Sequence, residues 1–77
     1  MAVVPLLRPR DVVRAFENLG WQIARRRGSH IIMTKPGALL TLSIPDHFQV
    51  ARGTLRALLA KAGLTVEEFL AALAGTV

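Results

Sequence analysis

The chain has 77 residues, 52% of them hydrophobic, with no cysteine and a net charge of +5. A chain of this length forms one domain, and its apolar content supports a compact core, so it is not a disordered tail. The lack of cysteine excludes disulfides and thiolate metal sites. No apolar run approaches the ~18 residues of a membrane span, so we expect one soluble cytoplasmic domain over residues 1–77.

The first part of the chain predicts a helix followed by a β-hairpin. Apolar residues at helical spacing indicate a helix over residues 9–19, because the proline at its start favours a first helical turn and Gly20 favours an end. Apolar and β-branched residues then indicate strands over 21–26 and 30–35. The two residues Arg27-Gly28 are the expected tight loop of this hairpin.

The second part predicts one more strand and two helices. A Lys-Pro-Gly turn leads to a strand over 39–44, and a stripe of leucines marks a helix over 54–63. Thr65 and Glu68 have the spacing of a capping box, which opens a short C-terminal helix. The predicted fold class is therefore α+β, in the order α-β-β-β-α with a short extra C-terminal helix, and with the helices on one face of a three-stranded antiparallel sheet.

The loop at Arg27-Gly28 also predicts the pairing of the first two strands. Counting outward from it places Arg25 opposite His30, and residues that pair share a face of the sheet. A slip of one residue exchanges the faces. Both faces are partly apolar and the helices can cover only one of them, so the other is a candidate docking surface. In this register its apolar residues are Ala24, Ile31 and Met33.

The positive charge is gathered in the first half of the chain. Residues 1–35 carry seven basic and two acidic side chains, whereas residues 36–77 carry three of each. Such a distribution favours a polyanionic partner, of which nucleic acid is the commonest, and the alternative interpretation is a merely solvated basic surface. Three consecutive arginines, Arg25 to Arg27, precede the Gly28-Ser29-His30 segment.

Little in the sequence supports catalysis apart from two histidines, His30 and His47. The carboxylates are scattered, and no metal-ligand spacing or phosphate-binding loop is present, so no metal and no cofactor is predicted. Histidine beside arginine is sufficient for metal-free cleavage of RNA, because the ribose 2′-hydroxyl is itself the nucleophile and the enzyme supplies only proton transfer and cationic groups. A lone histidine at the start of a strand is more often structural, and that interpretation stays open.

Candidate RNA contacts lie in two places. One is the basic hairpin, and the other is the start of the second helix at Gly53-Thr54, where free backbone N–H groups favour a phosphate. The candidate RNA-binding residues are Arg25, Arg26, Arg27, Gly28, Ser29, Arg52 and Arg56.

Four segments occur together in a specific order and spacing. They are Gly-Trp at 20–21, Gly-Ser-His at 28–30, Ile-Pro-Asp-His at 44–47 and "GTLRALLAKAGL" at 53–64. As a set, over roughly residues 10–64, they resemble the HicA (YcfA-like) toxins of prokaryotic toxin–antitoxin pairs.

The resemblance implies a double-stranded-RNA-binding-like fold, cleavage of mRNA without the ribosome and neutralisation by a HicB antitoxin. It also implies that His30 is catalytic. Many members carry a second histidine directly after the first, where this chain has Ile31, which favours His30 as the essential residue. Residues 65–77 form a C-terminal helical extension of this pattern, to which no chemistry is assigned.

These observations predict a metal-independent endoribonuclease that acts on mRNA as the toxin of a toxin–antitoxin pair. His30 transfers a proton, His47 is a second candidate for that role, and the antitoxin covers the sheet face of Ala24, Ile31 and Met33. Two alternatives remain open. One is an RNA-binding module without catalysis, and the other is a degenerate toxin that acts only as a protein-binding partner.

Overall fold

The computed structural model of the protein describes residues 3–75, which form three helices and one sheet. The elements are α1 Pro9–Asn18, β1 Gln22–Arg27, β2 His30–Thr34, β3 Leu42–Pro45, α2 Arg52–Ala62 and α3 Val66–Leu73. The sheet is antiparallel with the strand order β1-β2-β3. This order and topology confirm the α+β fold that the sequence predicts. Within residues 3–75, no helix has the length and apolar character needed to cross a membrane.

The three helices and one face of the sheet enclose a single hydrophobic core. Met33 of β2 is 0% exposed, and the core includes apolar residues from every helix. The ring of Phe16 in α1 contacts two other aromatic rings, with centroids 6.3 Å away at Trp21 and 5.4 Å away at Phe69. Because Phe69 belongs to α3 and is fully buried, the C-terminal extension is part of the core.

The loop of the β1–β2 hairpin lies one residue later than the sequence predicts. Arg27 pairs with His30, so the loop residues are Gly28 and Ser29, and the predicted loop at Arg27-Gly28, with Arg25 opposite His30, is wrong. Gly28 has a φ of +60°, and no other residue of the loop has a positive φ. A two-residue loop with a positive φ at its first position requires glycine there. Gly28 occupies that position, directly after the end of β1.

The helices cover the face of the sheet opposite to the one that the sequence predicts. Ile31 and Met33 point into the core, with 3% and 0% of their surfaces exposed. The prediction that they form an exposed apolar surface together with Ala24 is therefore wrong. The shift of the loop is not the reason, because it moves the partner of Arg25 by two residues, from His30 to Ile32, and so leaves Arg25, His30 and Ile32 on one face. Both faces carry apolar residues, and the sequence did not show which of them the helices cover. Ala24 is exposed, but it lies at a β-bulge, where the pairing shifts between Ile23 and Arg25.

The predicted capping box opens α3. The Thr65 hydroxyl oxygen accepts a hydrogen bond from the Glu68 backbone N–H at 3.1 Å, and the Glu68 carboxylate accepts one from the Thr65 N–H at 2.9 Å. The bond from the Thr65 backbone and the contact with its side chain hold the pKa of Glu68 below its usual value. The cap therefore fixes the first turn of the helix that delivers Phe69 to the core.

We expect Thr65→Ala to lower the free energy of unfolding by about 1 kcal/mol, which is typical for the loss of a helix N-cap. Thermal denaturation followed by circular dichroism measures it, and Thr41→Ala, an exposed threonine outside any helix, is the matched control. Because folding lowers the pKa of Glu68, its carboxylate stabilises the folded state at pH values above the unfolded-state pKa. This stabilisation is lost as the pH falls through the folded-state pKa. Equal melting temperatures for the two variants would contradict this role of the cap.

Candidate nucleic-acid interface

His30 lies on the face of the sheet that is turned away from the helices, which we call the open face. Alternation along β2 places it there, because the next residue, Ile31, points into the core. Cross-strand partners share a face, which adds the residues paired with His30 and with Ile32. The open face therefore carries Arg25, Arg27, His30, Ile32, Ser43 and Pro45.

The open face is basic rather than apolar. Ile32 is its one large aliphatic side chain and is only 8% exposed, since it lies on the central strand between Arg25 and Ser43. The aliphatic part of an arginine side chain covers apolar neighbours while its charged end stays in water. The sequence predicted an apolar docking surface on the uncovered face of the sheet, and the structure has guanidinium groups there instead.

Two of the three consecutive arginines share this face with His30. Arg27 is the cross-strand partner of His30, and Arg25 is two residues away on the same strand. Both side chains are exposed, and no carboxylate within residues 3–75 lies at ion-pair distance from either. The imidazole of His30 thus stands beside two cations whose charge is not neutralised by the fold.

Arg26 lies on the other face, where it is paired with Ile31. Its guanidinium Nη1 is 2.7 Å from the carboxylate Oδ2 of Asp46, and the Asp46 backbone N–H donates to the Ser29 carbonyl at 2.7 Å. Asp46 therefore ties the end of β3 to the hairpin that carries His30. The structure separates Arg26 from Arg25 and Arg27, which the sequence had grouped together.

The second histidine lies at the same end of the sheet as the first. His30 pairs with Pro45, the last residue of β3, and His47 follows two positions later in the loop to α2. Both imidazoles are exposed. The structure thus brings the two histidines to one end of the domain, although they are 17 positions apart in the chain. Within residues 3–75, no group of three acidic, histidine or cysteine side chains is arranged to hold a metal ion.

Arg52 and Arg56, the two basic residues near the start of α2, differ in their surroundings. The Arg52 Nε donates to the Val4 carbonyl oxygen at 3.0 Å and so fastens the N-terminal segment, a role that the sequence did not reveal. Arg56 is exposed one turn later. Ala51, at the N-cap position, makes no side-chain hydrogen bond to the helix, which leaves the first N–H groups of α2 without a side-chain cap.

A further contact escaped prediction altogether. The guanidinium carbon of Arg8 lies 5.4 Å from the centroid of the Phe48 ring, and 75% of the Phe48 surface is exposed. The sequence places Phe48 in a polar loop with no signal except an aromatic residue beside His47.

The structure therefore defines a class of small α+β domains in which a histidine shares an open sheet face with two arginines that, within residues 3–75, have no ion-pair partner. The family model described as the HicA toxin of bacterial toxin–antitoxin matches residues 9–64. This is more than half of the chain, so the chain belongs to the HicA toxin family, as the order of its motifs predicted. It is the toxin of a toxin–antitoxin pair, and its partner is an antitoxin. No curated protein matches the chain.

Proposed function

We propose that the protein is a metal-independent endoribonuclease that cleaves mRNA with His30 as its proton-transferring group. The observation that carries the proposal is the position of His30 on the open face, with Arg27 opposite it and Arg25 two residues from Arg27. In this reaction the 2′-oxygen of a ribose attacks the adjacent phosphorus and the bond from phosphorus to the 5′-oxygen breaks. A base takes the 2′ proton and an acid protonates the 5′-oxygen, which leaves a 2′,3′-cyclic phosphate.

The arginines supply the positive charge that stabilises the transition state, whereas the histidine transfers a proton. Negative charge accumulates on the non-bridging oxygens as the phosphorus becomes five-coordinate, and guanidinium groups bind such oxygens with two N–H donors at once. Arg25 and Arg27 are free of carboxylate partners in the part of the chain that the structure describes, so no ion pair has to be broken before they bind phosphate. His47, at the same end of the sheet, is the candidate for the second proton transfer, and Gly28, Ser29 and Arg56 are candidates for further RNA contacts.

The antitoxin is proposed to be of the HicB type and to neutralise the toxin by covering the open face. The recognised surface is then Arg25, Arg27 and His30, in place of the buried Ile31 and Met33. A basic surface of this kind selects a partner with acidic groups, because opposite charges steer association and favour the correct docking. Covering these three residues excludes RNA from the same site.

Incubation of the purified protein with single-stranded RNA in EDTA tests the proposed reaction. The expected result is cleavage that leaves 2′,3′-cyclic phosphate and 5′-hydroxyl ends. Binding without cleavage supports the RNA-binding module instead, and neither binding nor cleavage supports a toxin that acts only through protein contacts.

The salt dependence of RNA binding should reveal which arginines contact phosphate. Each phosphate contact to a single strand contributes about −0.7 to the slope of log affinity against log salt concentration. Removing both Arg25 and Arg27 by substitution with alanine should therefore make the slope less negative by about 1.4. Fluorescence anisotropy measures this slope with a labelled 2′-O-methyl RNA, which the protein cannot cleave. The titrations are carried out in buffers with and without EDTA.

Arg26→Ala is the matched control, because its guanidinium is already paired with Asp46. This variant should keep a slope close to that of the unsubstituted protein. If Arg26→Ala flattens the slope as much as the double variant does, the RNA does not lie on the open face.

A further inference from the structure

Phe48 is an aromatic side chain that the fold does not use. Phe16 and Phe69 are 0% exposed and Trp21 is 4% exposed, whereas Phe48 has 75% of its surface in solvent. A single exposed apolar residue is not unusual in itself. The position of Phe48, its fixed loop and the cation on one side of its ring distinguish it from other exposed residues of the chain.

The loop that carries Phe48 is anchored on both sides. Two residues before it, the Asp46 N–H donates to the Ser29 carbonyl at 2.7 Å, and two residues after it, the Val50 N–H donates to the Leu7 carbonyl at 2.8 Å. Val50 is also fully buried. Phe48 therefore stands at the middle of a short segment whose ends are fixed, and its exposure is a property of the folded loop.

The ring of Phe48 has a cation on one side. Arg8 lies at 5.4 Å from the ring centroid, a distance at which a guanidinium and an aromatic ring attract each other. Within residues 3–75, no carboxylate forms an ion pair with Arg8. Because three quarters of the Phe48 surface is exposed, the opposite side of the ring is open to a ligand.

An open aromatic ring beside a free cation is the arrangement that binds single-stranded nucleic acid, in which bases stack on rings and phosphates contact basic groups. Phe48 lies three residues after Pro45, the cross-strand partner of His30. From the length of an extended chain, its Cα lies within about 16 Å of the Cα of His30, a span of a few nucleotides. The loop is thus within reach of an RNA strand bound at the open face.

We propose that Phe48 is a stacking site for one nucleobase of single-stranded RNA, with Arg8 holding the adjacent phosphate. The inference rests on RNA as the proposed ligand, and it adds a base contact to a site otherwise made of backbone contacts. A base held at this position fixes the strand relative to His30. It therefore limits which phosphate reaches the imidazole.

The proposal is tested by substituting Phe48 and measuring the binding of 2′-O-methyl RNA. This probe lacks the 2′-hydroxyl and stays intact, so binding is measured whether or not the protein cleaves RNA. Phe48→Ala should weaken binding by about 5- to 150-fold, the range for losing one stacked base. Phe48→Trp should keep the affinity, and the fluorescence of its new indole should be quenched on binding.

An abasic oligonucleotide with the same sugar–phosphate backbone separates stacking from other effects. Phe48→Ala should not change the affinity for this probe, since it has no base to stack. Leu39→Ala is the matched control, because Leu39 is 100% exposed and lies in the β2–β3 loop at the opposite end of the sheet. This control should bind both probes as the unsubstituted protein does.

Three results would overturn the proposal. They are equal losses on the base-bearing and abasic probes, unchanged binding of both, and a Phe48→Ala variant that loses affinity for the antitoxin while keeping its affinity for RNA. The last result would assign Phe48 to the protein partner. Cleavage assays with the unsubstituted protein decide the proposed function separately, so a stacking site without cleavage and cleavage without a stacking site are distinct outcomes.

Discussion

Met33→Asp should leave the chain unfolded under conditions in which the unsubstituted protein is folded. Met33 is 0% exposed and pairs with Leu42 of β3, which is also fully buried. A core methionine replaced by a smaller residue costs about 2–5 kcal/mol, and an unpaired carboxylate in the core adds a further penalty. A domain of this size has a stability near the lower end of about 5–15 kcal/mol, so the variant should lose its cooperative thermal transition in circular dichroism.

Ser43→Asp is the matched control for this substitution. Ser43 neighbours Leu42 on β3, but it is exposed and lies on the open face. The same carboxylate at this position should leave the transition in place. If Ser43→Asp unfolds the protein and Met33→Asp does not, the two faces of the sheet are assigned the wrong way round.

The elements of the fold follow from local sequence patterns, whereas the register of the hairpin does not. Both Arg27-Gly28 and Gly28-Ser29 are two-residue segments that contain glycine, and the sequence alone does not decide between them. The choice depends on which position takes the positive φ, and here it is the first, Gly28. The bulge at Ala24 shifts the pairing again, and a bulge depends on how the whole sheet twists and packs.

The candidate site shows the same division between local and long-range information. The position of His30 beside the basic hairpin follows from neighbouring residues, and its place in the Gly-Ser-His motif is also local. The pairing of Arg26 with Asp46, 20 positions away, and of Arg52 with the Val4 carbonyl, 48 positions away, follows from the tertiary fold. Composition showed that arginines are abundant, but only the structure shows which of them are neutralised.

His30→Ala should abolish measurable RNA cleavage while leaving the protein folded. The side chain of His30 is exposed at the start of β2, next to the hairpin loop. Its removal leaves no cavity in the core, so the free energy of unfolding should change by no more than about 0.5 kcal/mol. Loss of one positioned general acid or base lowers the rate of a reaction by about 10²- to 10⁴-fold. RNA cleavage assays and thermal denaturation of the same preparation measure both quantities.

The value of His30→Ala as a test lies in measuring chemistry, stability and binding together. If His30 transfers a proton, the variant should bind 2′-O-methyl RNA with little change, because Arg25 and Arg27 remain, and its induction in cells should no longer arrest growth. His47→Ala, the change of the other exposed histidine at the same end of the sheet, tests the second candidate for proton transfer in the same assays. If His47 supplies the second proton transfer, it should also slow cleavage, and if it does not, cleavage should be unchanged. A folded His30→Ala protein that still cleaves RNA would remove His30 from the reaction, and a variant that does not fold would show that the histidine serves the structure of the hairpin.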